Sequence, residues 1–317
     1  MTQALTLPET NTPAMPAAAY LASLRTRVSR AGMESELRKI ARIVTGDDAA
    51  DWRAFDWGTL TAANVAAILA KVTGAPATMN KTRAALRGIA RAAWRLRRID
   101  SEELARIEDI RPATGSRELA GRQVDGWELA ALMRTCAADP SPAGARDAAL
   151  FALAAKTGAR REELVKIKLA DMMATPEGWE IRIMGKGNKE RILYGDNGAA
   201  RALADWLAIR GAATGALYCP IDKAGNMTPA RHMTTTAAHF ILNRRAVEAH
   251  LPALTWHDLR RTFAGTLLDA GEDIATVAAL MGHSSVTTTA RYDRRPTEAR
   301  RKASRKISVP YFERAAA

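Results

Sequence analysis

The chain has 317 residues, 47 of them Lys or Arg against 34 Asp or Glu, a net charge of +13 and an apolar fraction of 47%. That length suits two domains better than one core, and no apolar run reaches the roughly 18 residues that a membrane-spanning helix needs. Two cysteines, Cys136 and Cys219, exclude a disulfide framework or a cysteine-rich zinc centre.

Residues 1–15 mix Thr, Pro and Ala without periodicity and read as a disordered tail. They lack the basic and apolar regions of a secretory signal, so a reduced, cytoplasmic setting is expected. From Pro16 the apolar spacing turns helical. Leu21, Leu24 and Val28 define a first helix in AAAYLASLRTRVSR. Leu37, Ile40, Ala41 and Val44 define a second, stopped by Gly46. Thr61 caps a third, with Val65, Ile68, Leu69 and Val72 as its stripe and Gly74 as its stop. PATMNKTRAALRGIARAAWRLRRID forms a fourth helix and SEELARIEDI a short fifth, so residues 16–110 read as a small all-α domain.

The fourth helix carries a second stripe. Arg83, Arg87, Arg91 and Arg95 recur every four residues, with Lys81, Arg97 and Arg98 beside them and no acid between Lys71 and Asp100. Leu86, Ile89, Ala93 and Trp94 form the opposite, core-facing side. A solvated face usually mixes both signs. A single-sign stripe suits a phosphate backbone, so Lys81, Arg83, Arg87, Arg91 and Arg95 are expected to contact DNA. The high net charge points the same way.

RPATGSRELAG (111–121) is rich in Gly, Pro and polar residues and reads as a linker. Beyond it, WELAALMRTCAAD and GARDAALFALAAKTG are helical, and RREELVKIKLADM is expected to open another helix. WEIRIMG and ERILYG flank the turn GKGNK as a β-hairpin. Helices resume in AARALADWLAIRG, TTTAAHFILNRRAVEAH, HDLRRTFAGTLLDAG and DIATVAALMG.

Four segments of this second half concentrate basic and hydroxyl groups: TGARREEL (157–164), GKGNKER (185–191), TWHDLRRTFA (255–264) and MGHSSVTTTARYDR (281–294). Together they resemble the signature segments of the tyrosine recombinases, the phage integrase family. That pattern is an Arg in TGxRxxEL, a Lys in a GKGxKxR hairpin, an HxxR helix, and GH followed nine residues later by Tyr. One segment alone is a weak signal; four in the family's order are a strong one. The similarity covers about residues 120–310, and the N-terminal helices resemble the family's core-binding domain more loosely. The implied fold is mainly α (α+β). It has an all-α core-binding domain at 16–110 and a mostly helical catalytic domain at 122–317 with a small antiparallel sheet or β-hairpin.

The chemistry of the matching residues agrees with the resemblance. Cutting DNA without a metal ion needs a nucleophile, neutralisation of charge at a pentavalent phosphorus, and a proton for the departing 5′-oxygen. No carboxylate cluster suited to Mg²⁺ is evident in the sequence, so the cations are expected from side chains, with no metal and no cofactor. Arg160 and Arg260 match the family's two arginines, and a guanidinium fork fits two non-bridging oxygens. Arg161 and Arg261 adjoin them, but the TGxRxxEL and HxxR spacings select Arg160 and Arg260. Tyr292, nine residues after His283, is the expected nucleophile, with Tyr311 its one serious rival. A phenol of pKa near 10 needs a base or a cationic pocket to attack near neutrality.

His257 is the candidate proton acceptor, and His283 would hydrogen-bond a non-bridging oxygen. Lys186, in the hairpin turn, is the candidate general acid. Lys189 and Arg191 are alternatives for that role, expected rather as phosphate contacts. Glu163 matches the acidic position and is implied to orient the catalytic groups; its bland alternative is a helix-surface ion pair. His232, His239 and His250 have no such context. The segment 296–317 is basic and carries an apolar cluster, Ile307, Val309, Tyr311 and Phe312. By resemblance it would dock on a neighbouring protomer and close a ring.

The function implied is site-specific recombination of double-stranded DNA by a homo-tetramer, through a 3′-phosphotyrosine and a Holliday junction. A type IB topoisomerase-like relaxing enzyme and a DNA-binding relic without cleavage are the alternatives.

Overall fold

Capping decides where the N-terminal helices begin. The Thr26 side chain accepts from the Ser29 backbone N–H while its own backbone is extended. The break therefore falls inside the stretch read as the first helix, and the end of that stretch joins the second: α1 is Met15–Ser23 and α2 is Arg27–Thr45. Gly46, at φ 75°, ends α2 in a left-handed conformation that side chains resist. Thr61 and Asn64 form a reciprocal capping box at α3 (Ala62–Lys71). Pro76 opens α4 (Pro76–Arg95), and Asp100 caps α5 (Ser101–Asp109).

The computed structural model describes residues 15–115, 121–185, 189–283, 285–290, 292, 304–305 and 307–308. The chain divides into two compact units, Met1–Glu118 and Leu119–Ala317. Residues 1–14 of the expected tail and 116–120 of the expected linker lie outside the described residues, as does most of 296–317.

In the first unit, Leu37, Ile40, Trp52, Val65, Leu86 and Ile107 share one buried core. Gly88 permits α1 to lie close on α4, because a Cβ there would come 2.2 Å from the Tyr20 ring. Trp94, expected on the core side, is 45% exposed. The basic stripe proves to have acidic partners on other helices. Arg91 Nε donates to Glu108 on α5 at 2.6 Å, and Arg87 lies 3.9 Å from the same carboxylate. Arg83 donates to the Ile110 carbonyl, and Lys81 pairs with the buried Glu36 at 3.2 Å. Arg95 makes no ion pair with a described residue. Sequence distance hid these acids, since α2 and α5 supply them.

The second unit runs α6 (Gly126–Ala137), α7 (Pro142–Thr157), a single turn α8 (Arg161–Leu164), then β1 (Met172–Thr175), β2 (Gly178–Met184) and β3 (Glu190–Asp196). It continues with α9 (Asn197–Arg210), α10 (Thr235–Glu248), α11 (Trp256–Asp269), α12 (Ile274–Met281) and α13 (Val286–Ala290). The sheet is antiparallel in the order β1-β2-β3, with Ile181 opposite both Met172 and Leu193. The helix expected over RREELVKIKLADM is thus confined to one turn. Val165 and Ile167 are buried while Lys166 and Lys168 are exposed, a period of two that a helix cannot serve. Helix α7 is central: Leu150, Phe151 and Leu153 are fully buried, with Trp206 and Tyr218 packed in the same core. Asp147, 0% exposed, ties α7 to α10 through Arg245 Nε at 2.9 Å.

Candidate active site

Three chain segments deliver the site. The first is the α7–α8 junction. Gly158 takes φ 57° to end α7, and Arg160 follows as the residue before α8. The second is α11, whose start is fixed by a Thr255–Asp258 capping box, so that His257 lies on its first turn and Arg260 on the next. The third is the chain after α12, where Gly282 at φ 63° ends the helix and presents His283.

Arg260 fastens these segments together. It is 4% exposed. One terminal nitrogen donates to the Gly158 carbonyl; the other donates to the Met281 carbonyl at 2.8 Å and meets His283 Nε2 at 2.8 Å. Arg160 lies alongside, its Nη1 donating to Glu163 Oε1 at 2.9 Å and its Nη2 reaching the Gly282 carbonyl at 3.4 Å. Tyr292 Oη is 3.2 Å from His257 Nε2. The Tyr292 ring stacks on His283 with centroids 6.0 Å apart and planes 10° apart, and the Arg261 guanidinium stands 5.9 Å from its centre. His283 Nδ1 is 2.8 Å from Thr289 Oγ1.

Beside this cluster opens a pocket of about 480 Å³ lined by Arg160, Arg161, His239, Trp256, His257 and Arg260. A larger pocket of about 590 Å³ lies against Asp139, Arg146 and Arg244. Arg146 and Arg244 there are paired with Asp147.

Crowded guanidiniums set the protonation states. Burial first, and then the Arg261 and Arg260 charges, hold His257 below its ordinary pKa. The same causes, burial and then Arg260, Arg160 and Arg191, bring His283 down to about 4. Both rings are therefore neutral near pH 7. Burial and Arg160 lower Arg260 to about 10, which leaves it charged. For Glu163, burial would raise the carboxyl, but hydrogen bonds from Arg191 and Arg160 outweigh it and the net shift is downward.

The Phage integrase family model matches residues 122–298. The tyrosine recombinase XerC of Chromohalobacter salexigens is 30% identical over 291 residues, covering 87% of this chain and 89% of that protein. The chain belongs to the phage integrase family, the tyrosine recombinases. The tyrosine recombinase XerD of Rickettsia conorii is 32% identical over 191 residues, which span 56% of this chain and 60% of that protein's length. Among solved structures, XerH recombinase bound to difH in a post-cleavage complex matches with a TM-score of 0.63 at 22% identity, over 86% of this chain and 76% of that one. The Tn1549 transposon integrase matches with a TM-score of 0.63 at 14% identity, over 93% and 99%. These likenesses show a shared tyrosine recombinase fold.

Against that family pattern, the structure brings Arg160, His257, Arg260, His283 and Tyr292 into one cluster, with Glu163 beneath Arg160. Lys186 lies outside the described residues. On either side of it, Gly185 N–H donates to the Lys189 carbonyl at 2.8 Å, and Lys189 itself is exposed. Tyr311 is also outside the described residues.

Arg191 turns inward. Its side chain is only 12% exposed, and both terminal nitrogens donate to Glu163, at 3.1 and 2.8 Å. In the free protein that guanidinium is turned to a buried carboxylate. Glu163 in turn is 7% exposed and clamps both arginines, unlike a surface ion pair. Two residues were not anticipated. His239 lines the pocket from α10, where no motif marks it. Thr289 sits in a run of three threonines, and only its place three residues before Tyr292 could have singled it out.

Proposed function

We propose that this chain is a site-specific DNA recombinase that cleaves and rejoins double-stranded DNA through a 3′-phosphotyrosine. The observation that carries the reading is the placement of Tyr292 Oη 3.2 Å from a neutral His257, beside Arg260 and Arg160. His257 Nε2 accepts the phenolic proton as Oη attacks phosphorus. Arg160 and Arg260 face the non-bridging oxygens, where a guanidinium is aimed at charge that grows in the transition state. His283 adds one hydrogen bond to the same oxygens. Lys186 protonates the departing 5′-oxygen. The phosphotyrosine conserves the diester bond, so a second 5′-hydroxyl can reverse the chemistry with no cofactor.

On this reading residues 16–110 form the core-binding domain, 111–121 the linker and 122–317 the catalytic domain. The segment 296–317 docks on a neighbouring copy. The working assembly is a homo-tetramer on two DNA sites that passes through a Holliday junction, in the cytoplasm. Support comes from the relatives: XerH was solved on its difH substrate, and lambda integrase as a tetramer bound to a Holliday junction. A relic without cleavage is not favoured, because the described part of the cluster is intact. No relative reported above is a topoisomerase.

The test is Tyr292→Phe on a duplex selected by the protein from random sequence. Covalent adduct is expected to vanish while binding persists. An adduct that survives in this variant and disappears in Tyr311→Phe overturns the assignment.

A further inference from the structure

His283 faces two demands that conflict. In the free protein its Nε2 lies 2.8 Å from Arg260 Nη2. A guanidinium nitrogen can only donate, so Nε2 must accept and carries no proton. The neutral ring then has its proton on Nδ1, which points at Thr289 Oγ1 2.8 Å away. In the reaction proposed above, His283 donates to a non-bridging oxygen. That requires the proton on Nε2 and a bare Nδ1.

A hydroxyl is the side-chain group that serves both states from one position. It accepts from an N–H and, after rotation about its C–O bond, donates to a lone pair. Thr289 is placed for this. It is 0% exposed, and its carbonyl accepts the Tyr292 backbone N–H at 2.8 Å, so the hydroxyl is held in register with the nucleophile.

We propose that Thr289 is a positioning residue for His283. It holds the imidazole as the Nδ1–H tautomer while Arg260 occupies Nε2, and turns its own O–H onto Nδ1 when a phosphate oxygen takes Arg260's place. The inference rests on the recombinase reading of the site. The exchange balances: Nδ1 gives one proton to water, Nε2 takes one from water, the ring stays neutral, and no bond to Thr289 is made or broken. The Nε2–H so formed then points at the phosphate with the ring already oriented.

Two measurements test it. The first is ¹⁵N NMR of histidine-labelled protein, with the His283 signals assigned by their loss in His283→Gln. In the free protein Nδ1 should carry the proton. In a Tyr292→Phe complex with the selected duplex it should be on Nε2. A free ring protonated on Nε2, or on both nitrogens at pH 7, overturns the proposal whether or not the protein recombines DNA. The second is single-turnover cleavage of a nicked form of that duplex. Thr289→Val keeps the shape and removes the hydroxyl; it should slow cleavage about 10- to 100-fold, the scale of a misoriented catalytic group, with DNA affinity held and the unfolding midpoint lower by only a few degrees. Thr289→Ser should restore most of the rate. Valine at the parent rate, or serine as slow as valine, overturns the role of the hydroxyl. Adduct formation by Tyr292→Phe would instead overturn the assignment of Tyr292 as the nucleophile, on which this inference rests.

Discussion

Arg260→Lys keeps the charge and removes the fork. In the free protein the two terminal nitrogens of Arg260 serve three acceptors: the Gly158 carbonyl, the Met281 carbonyl and His283 Nε2. Lysine has one terminal nitrogen on a side chain with no planar fork, so it can serve one side of this arrangement and not both. At least one buried carbonyl then loses its partner, at a cost of about 1–3 kcal/mol. For a unit of this size that lowers the unfolding midpoint by about 2–4 °C per kcal/mol. The chemical loss is larger. On the proposed mechanism the fork meets charge that develops at phosphorus, and one lost donor of that kind costs about 10²–10³ in rate. Adduct formation on a nicked duplex, in single turnover at saturating protein, isolates that step. The dissociation constant and the unfolding midpoint should be taken on the same preparation. The expected result is a rate at least about 100-fold lower, with affinity changed little and the midpoint lower by a few degrees. Cleavage within about threefold of the parent at full occupancy would refute the argument, because a point charge would then suffice where a planar fork is claimed.

Glu163→Gln puts an amide N–H₂ against two guanidiniums; breaking a buried pair in this way should destabilise the second unit by about 3 kcal/mol, measurable by urea unfolding. The Glu163 carboxyl is held below its ordinary pKa, so its contribution is present above the unfolded value near 4.3 and is lost as pH falls through the lower folded value; the Gln variant should lack that part of the acid dependence. Burial, then the Arg261 and Arg260 charges, hold His257 below its ordinary 6.5, so the base is mostly deprotonated at pH 7 and cleavage should lose half its rate only below pH 6.5; a profile already half lost at pH 7 would exclude His257 as the acceptor. Arg87 and Arg91 share Glu108, so their double replacement by Ala should weaken DNA binding without regard to sequence and flatten the log–log salt slope by at most about 0.9 per contact. Glu108→Ala, which frees both arginines, should tighten non-specific binding; equal salt slopes in all three proteins would leave the stripe no part in holding DNA.

What the sequence revealed and what it hid follow from the range of each signal. Helix starts were legible where a cap and its partner lie within three residues, as at Thr61. The break at Thr26 was missed, although it uses the same chemistry, because apolar spacing ran through it. The short run Val165–Lys168 alternates for too few residues to outweigh the helical REEL before it, and β1 shows itself only through its pairing with β2. At the site, residue types and spacings brought out Arg160, His257, Arg260, His283 and Tyr292. They did not tell that Arg191 turns inward, since that depends on a carboxylate 28 residues away. Nor did they reveal the ion pairs of the arginine stripe, which join α4 to α5 across the Leu96–Asp100 turn.

The site gathers several guanidiniums at close quarters, and their mutual repulsion is a source of catalytic power. Arg160, Arg161 and Arg260 line the pocket together with Glu162. Glu163 pairs with Arg160 and with Arg191, and Asp258 serves the cap of α11 and the Arg122 backbone. His257, His283 and Arg260 all bind protons less readily than they would in water. Burial leads in each case, and neighbouring guanidiniums follow in each. Holding those charges together raises the energy of the free protein. A phosphodiester brings one negative charge and relieves part of that cost. A pentavalent phosphorane brings a second, and relieves more. The difference between the two is what accelerates the reaction, since interactions equal in both states lower only the binding constant. Two neutral histidines serve this scheme better than charged ones. They leave the arginines to meet the phosphate, and they keep one ring nitrogen bare to receive the tyrosine proton.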